Sequence, residues 1–249
     1  SLDQGDRLRR EGKWVQALSA YRSAASLPLT GCEQARIQLG MAAVQWHAGN
    51  LAECQPHLSE ASFSCNTCTP QFRTDMALEL AELMVRCGMT GDALHVLQRE
   101  RDLHPVPSKT HEVEVALLEL HFAEGHWNDV WTGARNVEST RAEGLRLQAG
   151  VMLGSPLSQL PVKDYLKRTT PVNRREVVSE LTHLHTMLAG MGRAQEAWQL
   201  AQLMSMVHNP ADDPEAWTVA QLRMATSAER AMQPLDALLA FPDIFSLKR

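Results

Sequence analysis

Gly12-Lys13-Trp14-Val15-Gln16-Ala17-Leu18-Ser19-Ala20-Tyr21-Arg22-Ser23-Ala24 is the stretch that decides the fold, because its spacing returns along the chain. Gly12 is followed five residues later by Ala17, nine later by Tyr21 and twelve later by Ala24. At the same offsets Gly49 gives Cys54, Leu58 and Ala61, and Gly88 gives Ala93, Leu97 and Glu100. Gly125 gives Val130, Ala134 and Val137, and Gly192 gives Ala197, Ala201 and Met204. Seven residues before these glycines stand Gly5, Ala42, Ala81, Leu118 and His185. The intervals between glycines are 37, 39, 37 and then 67, the last close to two units with one glycine missing. A fixed period of this size marks a stack of repeated units.

The offsets describe a helical hairpin. A glycine at the tight turn takes the left-handed conformation that ends the first helix. A small residue five positions on lets the second helix approach the first, and the plus-nine and plus-twelve residues continue an apolar stripe at helical spacing. Val and Ile are sparse beside Leu, Ala, Gln, Glu and Arg, which favours helix over strand, and no stretch alternates with period two. The expected fold is all-α.

The pattern Gly5, Gly12, Ala17, Tyr21 and Ala24, closed by Pro28, resembles the tetratricopeptide repeat. The second unit follows it with Cys54 in a small slot, and later units depart at Leu118, Val130 and His185. The resemblance covers most of the chain and implies a right-handed α-solenoid of six to seven hairpins. Units of about 37–40 residues exceed the roughly 34 of the usual repeat. In that length they look like the repeats of bacterial regulators related to the maltose-operon activator.

The hairpins are expected over 2–28, 33–62, 71–103 and 109–138, making 1–139 a regular region. An irregular, Pro-rich fifth unit follows over 140–172, with a helix at about 140–153 and a short one ending at Lys167. Residues 173–249 hold a sixth hairpin to 207, a shortened last hairpin over 215–230 and 234–240, and a tail from Phe241. The acidic start Asp212-Asp213-Pro214 suits a helix cap.

Composition narrows the function. A formal charge of −5 offers no global basic field for nucleic acid, and no apolar run approaches the roughly 18 residues of a membrane span. The chain opens Ser1-Leu2-Asp3 without Met, as a processed product or excised fragment would. Five cysteines, an odd number, do not suggest a disulfide framework, and a cytoplasmic setting is expected. Cys32 and Cys87 read as ordinary helix residues. Cys54-x2-His57 followed by Cys65-x2-Cys68 has ligand types that zinc prefers, yet Cys54 falls on a core position, so no metal is expected. A redox Cys65/Cys68 pair lacks its usual context.

His121 with His126 straddles a turn, and His183 with His185 points to different helix faces. No metalloprotease, nucleophile-elbow, phosphate-loop or dinucleotide motif occurs, so no enzyme and no cofactor are expected. Lys163, Lys167, Arg168, Arg174 and Arg175 form a basic stretch that suits an ordinarily paired surface better than a phosphate site.

What remains is implied by the resemblance: first helices line a concave groove that holds a partner. Carried over, the groove residues are Arg36, Leu39, Trp46 and His47 in the second unit, and Leu78, Glu82, Val85 and Arg86 in the third. The fourth unit adds Glu112, Val115, Glu119 and Phe122. The Lys/Asn set that clamps a terminal carboxylate in chaperone-binding members is absent. An apolar floor with acidic flanks suits a protein or peptide partner that is amphipathic and basic. The same apolar residues suit packing between adjacent repeats equally well. The expected function is a non-catalytic interaction scaffold, with homo-oligomerisation open. The alternative is a sensory or oligomerisation module of a bacterial transcription regulator, binding a small molecule or a regulatory protein.

Overall fold

The computed structural model describes residues 1–207 apart from His104, together with Thr218, Ala220, Leu222, Arg223 and Thr226. The described residues are all helix, turn and coil, with no strand among them. The shortened last hairpin and the tail expected beyond 214 lie outside the described residues, save that the five isolated positions are helical. The chain divides into two compact units, Ser1–Glu124 and Gly125–Arg249. That division falls at the turn glycine of the fourth hairpin, whereas repeat regularity placed a boundary at 139.

The turns follow from the glycines. Gly12, Gly49, Gly88, Gly125 and Gly192 have φ between 71° and 79°, a region in which a side chain is strained. After Gly12, Gly49, Gly88 and Gly192 the next residue donates its N–H to the carbonyl five positions before it. Lys13 bonds Leu8 at 2.9 Å, Asn50 bonds Gln45 at 2.9 Å, Met89 bonds Met84 at 2.8 Å and Arg193 bonds Leu188 at 2.9 Å. This is the Schellman motif, which satisfies the orphan carbonyls of the first helix.

Gly154 makes the same turn, with φ 81° and Ser155 N–H bonding Gly150 O at 2.9 Å. It is the glycine missing from the 67-residue interval. What differs is the helix that should follow. After Pro156 comes a single 3-10 turn, Leu157–Gln159, because the Glu196 carboxylate accepts the Leu157 N–H at 2.6 Å and Arg193 donates to Ser155 O at 2.7 Å. The turn at Gly154 is thus regular, and the departure lies in the segment after it.

In the first unit the helices are α1 (Leu2–Arg10), α2 (Trp14–Ala25), α3 (Gly31–His47), α4 (Leu51–Ser64), α5 (Pro70–Arg86), α6 (Thr90–Asp102) and α7 (Thr110–Ala123). Local chemistry starts several of them: a Thr30/Glu33 capping box opens α3, and Pro70 occupies the first turn of α5. α1 packs on α2, α3 on α4 and α5 on α6, and α2, α4 and α6 each pack on the helix that follows. The first helices also touch in succession, α1 to α3, α3 to α5 and α5 to α7. Each hairpin thus buries its apolar faces against its neighbours, the arrangement of a repeat protein. The second unit holds α8 (Trp127–Gly133), α9 (Thr140–Met152), α10 (Val162–Lys167), α11 (Arg174–Gly190) and α12 (Ala194–Val207), with α9 packed on α8 and α11, and α11 on α12.

The repeat offsets translate directly into packing. Ala17, Tyr21 and Ala24 are buried, as are Cys54, Leu58, Ala61, Ala93, Leu97 and Glu100. Glu100 breaks the apolar pattern at plus twelve, and it is matched. Arg73 Nε donates to its Oε2 at 2.7 Å and Thr74 Oγ1 donates to its Oε1 at 2.6 Å.

The cysteine expectation is corrected. Cys32, in the first turn of α3, is joined by a disulfide to Cys68, two residues before α5, with Cα atoms 4.8 Å apart. Cys32 is therefore not an ordinary helix residue. The bridge spans 36 residues, about one repeat, which is how a stack brings distant cysteines together. It also removes the argument for a reducing compartment that the odd cysteine count supplied.

Candidate functional site

The first helices of successive hairpins lie side by side, and between α5 and α7 they leave a cleft of about 380 Å³. Its floor is apolar, built from Leu78, Ala81 and Val85 of α5 and Ala116, Leu120 and Ala123 of α7. Glu82, Arg86 and Glu119 stand at its edges. Val85 is 38% exposed although it is a large aliphatic residue beside a core, so apolar surface is left uncovered here.

A smaller cleft of about 120 Å³ lies beside it, lined by Arg9 of α1, Trp46 and His47 of α3, and Glu79, Glu82 and Arg86 of α5. Its charges are paired within the protein. Arg9 meets Glu79 at 2.6 Å, and Arg86 bonds Glu82 while lying 5.1 Å above the Trp46 ring. His47 stacks on Trp14 with ring centres 3.9 Å apart.

The structure brings together Trp46, His47, Leu78, Glu82, Val85, Arg86 and Glu119 of the sequence-derived groove. It does not bring the others in. Leu39 is core, 3% exposed, packed between repeats. Arg36 turns to Asp6 at 2.6 Å and Asp3 at 3.4 Å. Glu112 is exposed and paired with Lys109 at 2.8 Å. Val115 and Phe122 are half-buried on α7, apart from the cleft lining. The flanks are also less acidic than expected, since Arg86 offsets Glu82. The small residues Ala81, Ala116 and Ala123 were missed; their signal was three-residue and four-residue spacing, Ala81 from Leu78 and Val85 on α5, and Ala116 and Ala123 from Leu120 on α7.

The zinc-like set takes separate partners. Cys68 is bonded to Cys32, Cys54 lies against Cys87, and His57 Nδ1 meets Gln38 Oε1 at 2.6 Å. Burial lowers the His57 pKa from its ordinary 6.5, with Glu53 acting to raise it and Arg22 to lower it further. A histidine with a depressed folded pKa favours the fold when neutral. Its contribution is complete above pH 6.5 and is lost as pH falls through the depressed value. The His57 ring is expected to titrate below 6.5 in an NMR pH series, and His57→Gln should flatten the loss of stability on acidification. A His57 pKa at or above 6.5 would contradict this burial. In the basic stretch, Lys167 pairs with Asp164 at 3.2 Å and Arg168 with Glu143, an ordinary surface arrangement.

The hairpin fold and the cleft between first helices define a helical-repeat protein. No protein-family profile matches the sequence, and no curated protein is found to match it. Solved structures similar to it include BtubC (BKLC) from P. vanneervenii, at 13% identity over 96% of this chain and 90% of that one, with a TM-score of 0.45. The TPR domain of P58(IPK) is similar at 14% identity over 99% and 82%, with a TM-score of 0.31. No described helix is long and apolar enough to cross a membrane.

Proposed function

We propose that this chain is a non-catalytic interaction module whose α5–α7 cleft receives an amphipathic helix from a partner protein. The observation that carries the reading is the cleft itself: an apolar floor of Leu78, Ala81, Val85, Ala116, Leu120 and Ala123, open to solvent between two helices. Helix-in-groove recognition needs such a floor for anchors spaced three and four residues apart. Small residues at Ala81, Ala116 and Ala123 give a guest helix room to sit close. Glu119 and Glu82 favour Lys or Arg beside the anchors, though Arg86 makes the preference weaker than a purely acidic rim would. The cleft's polar groups are carboxylates and one guanidinium, groups suited to orienting a charged guest.

A selection from a displayed peptide library against the whole chain tests this. Enriched sequences should carry apolar anchors at helical spacing with interspersed Lys or Arg, and Val85→Asp should weaken their binding about tenfold or more, the loss typical of an anchor position. Val85 is exposed enough for that change to leave the fold intact. Recovery of peptides without such anchors, or binding indifferent to Val85→Asp, would remove the reading.

A further inference from the structure

We propose that Cys54 and Cys87 form a second disulfide, which with Cys32–Cys68 crosslinks the second and third hairpins at both ends of α5. The two sulfurs lie 2.9 Å apart, inside the contact distance of two sulfur atoms, and both residues are buried. Their placement follows from the repeat. Cys54 holds the plus-five small position of the second hairpin, and Cys87 immediately precedes the turn glycine Gly88 of the third. Two hairpins in register bring these positions together across 33 residues.

The existing bridge sits just before the N-terminus of α5, and Cys87 caps its C-terminus. Seventeen residues of helix put about 25 Å between the two crosslinks. A single bridge ties α5 covalently at its N-terminal end alone, whereas two tie both ends of the helix that lines the cleft. Cys65 takes no part: its sulfur faces Ser62 O at 3.3 Å and Arg99 at 3.6 Å.

The chemistry is thiol–disulfide exchange with a small disulfide such as oxidised glutathione. The Cys54 thiolate attacks one sulfur of that disulfide, and a glutathione thiolate leaves. The Cys87 thiolate then attacks the mixed disulfide at Cys54 and displaces the second glutathione. Two protons and two electrons leave the cysteine pair, and one disulfide is reduced to two thiols. Only thiolates react. Burial and the hydrogen bond between the two push the Cys54 thiol up to about 12, so exchange is suppressed once the hairpins have docked. The bond is therefore made while the third hairpin is closing, in an oxidising environment.

The test is refolding of the reduced, unfolded chain into a glutathione redox buffer, followed by acid quench, alkylation in denaturant and peptide mapping. Five cysteines with two bridges leave one alkylated residue, Cys65, and a peptide joining Cys54 to Cys87. In the Cys87→Ala variant, Cys54 should become alkylated. Alkylation or glutathionylation of both Cys54 and Cys87 in the parent chain would overturn the proposal. So would a bridge from Cys54 to any other cysteine.

Discussion

Glu100→Ala is expected to destabilise the first unit by about 3–5 kcal/mol, the cost of breaking a buried ion pair from one side. Glu100 is 2% exposed and the Arg73 side chain 12%, so neither can turn to water when the other is removed. The alanine variant leaves the guanidinium facing the Leu103 carbonyl at 3.4 Å in place of a carboxylate, and takes from the Thr74 hydroxyl the carboxylate oxygen at 2.6 Å. Glu100→Gln keeps an acceptor and should cost less. Replacing both members, Glu100→Leu with Arg73→Met, should recover much of the loss, because it is the unpaired charge and not the missing attraction that dominates. Urea unfolding gives the ordering, and hydrogen exchange in α5 and α6 localises it. A loss below about 1 kcal/mol for Glu100→Ala would mean that the pair is solvated and the ordering baseless. Glu180 makes a comparable arrangement in the second unit, with Arg141 at 2.6 Å and Gln148 at 2.7 Å. There Arg141 is 32% exposed, so the same substitution should cost less.

Glu100 also shows how far a sequence can be read. The glycine offsets predicted turns, hairpins and the buried Ala17, Tyr21, Leu58, Ala93 and Leu97, because each rests on backbone conformation within one hairpin. The offsets put a charged residue at plus twelve and say nothing of what would match it there. Its match is Arg73, 27 residues away on another helix, and no local rule reaches that far. Cys32 and Cys68 were invisible for the same reason, although their separation of nearly one repeat was a usable signal. Gly154 was overlooked because the residues after it do not resume a helix, and that failure depends on Arg193 and Glu196 closing on Ser155 and Leu157.

The cleft was legible by half. Helical spacing shows that α5 has two apolar faces, but it does not say which is covered. Leu80, Met84 and Leu83 went to the core, while Val85 remained exposed. Leu39 was carried over to the groove from the resemblance and lies inside, because α3 is sandwiched between neighbours on more sides than one amphipathic stripe provides for. Exposure in a stack is set by the neighbouring hairpin, a non-local quantity.

Gly40→Val is expected to cost the first unit about 3 kcal/mol, at the upper end of the usual penalty for overpacking. A Cβ at Gly40 would stand 2.3 Å from Cζ of Tyr21, and one at Gly5 would stand 2.5 Å from Cε1 of the same ring. The ring is wedged between two glycines and is 0% exposed, so it has no free side to move toward. Its hydroxyl donates to Asp6 at 2.6 Å, and Asp6 in turn receives Arg36 at 2.6 Å. Displacing the ring therefore breaks a chain of bonds between the first and second hairpins as well as a packing contact. Gly40→Ala makes the sharper measurement, since its sign decides the matter. Alanine in a helix interior ordinarily gains up to about 1 kcal/mol over glycine, and Gly91→Ala, in the first turn of α6 with nothing within 4 Å of its Cβ, should show part of that gain. At Gly40 the clash should outweigh the propensity and the variant should be less stable than the parent. Tyr21→Leu should be better tolerated with Gly40→Ala than alone, the coupling expected of residues in contact. If Gly40→Ala stabilises the protein as Gly91→Ala does, the tyrosine does not lie between these glycines, and the register of the first two hairpins must be redrawn.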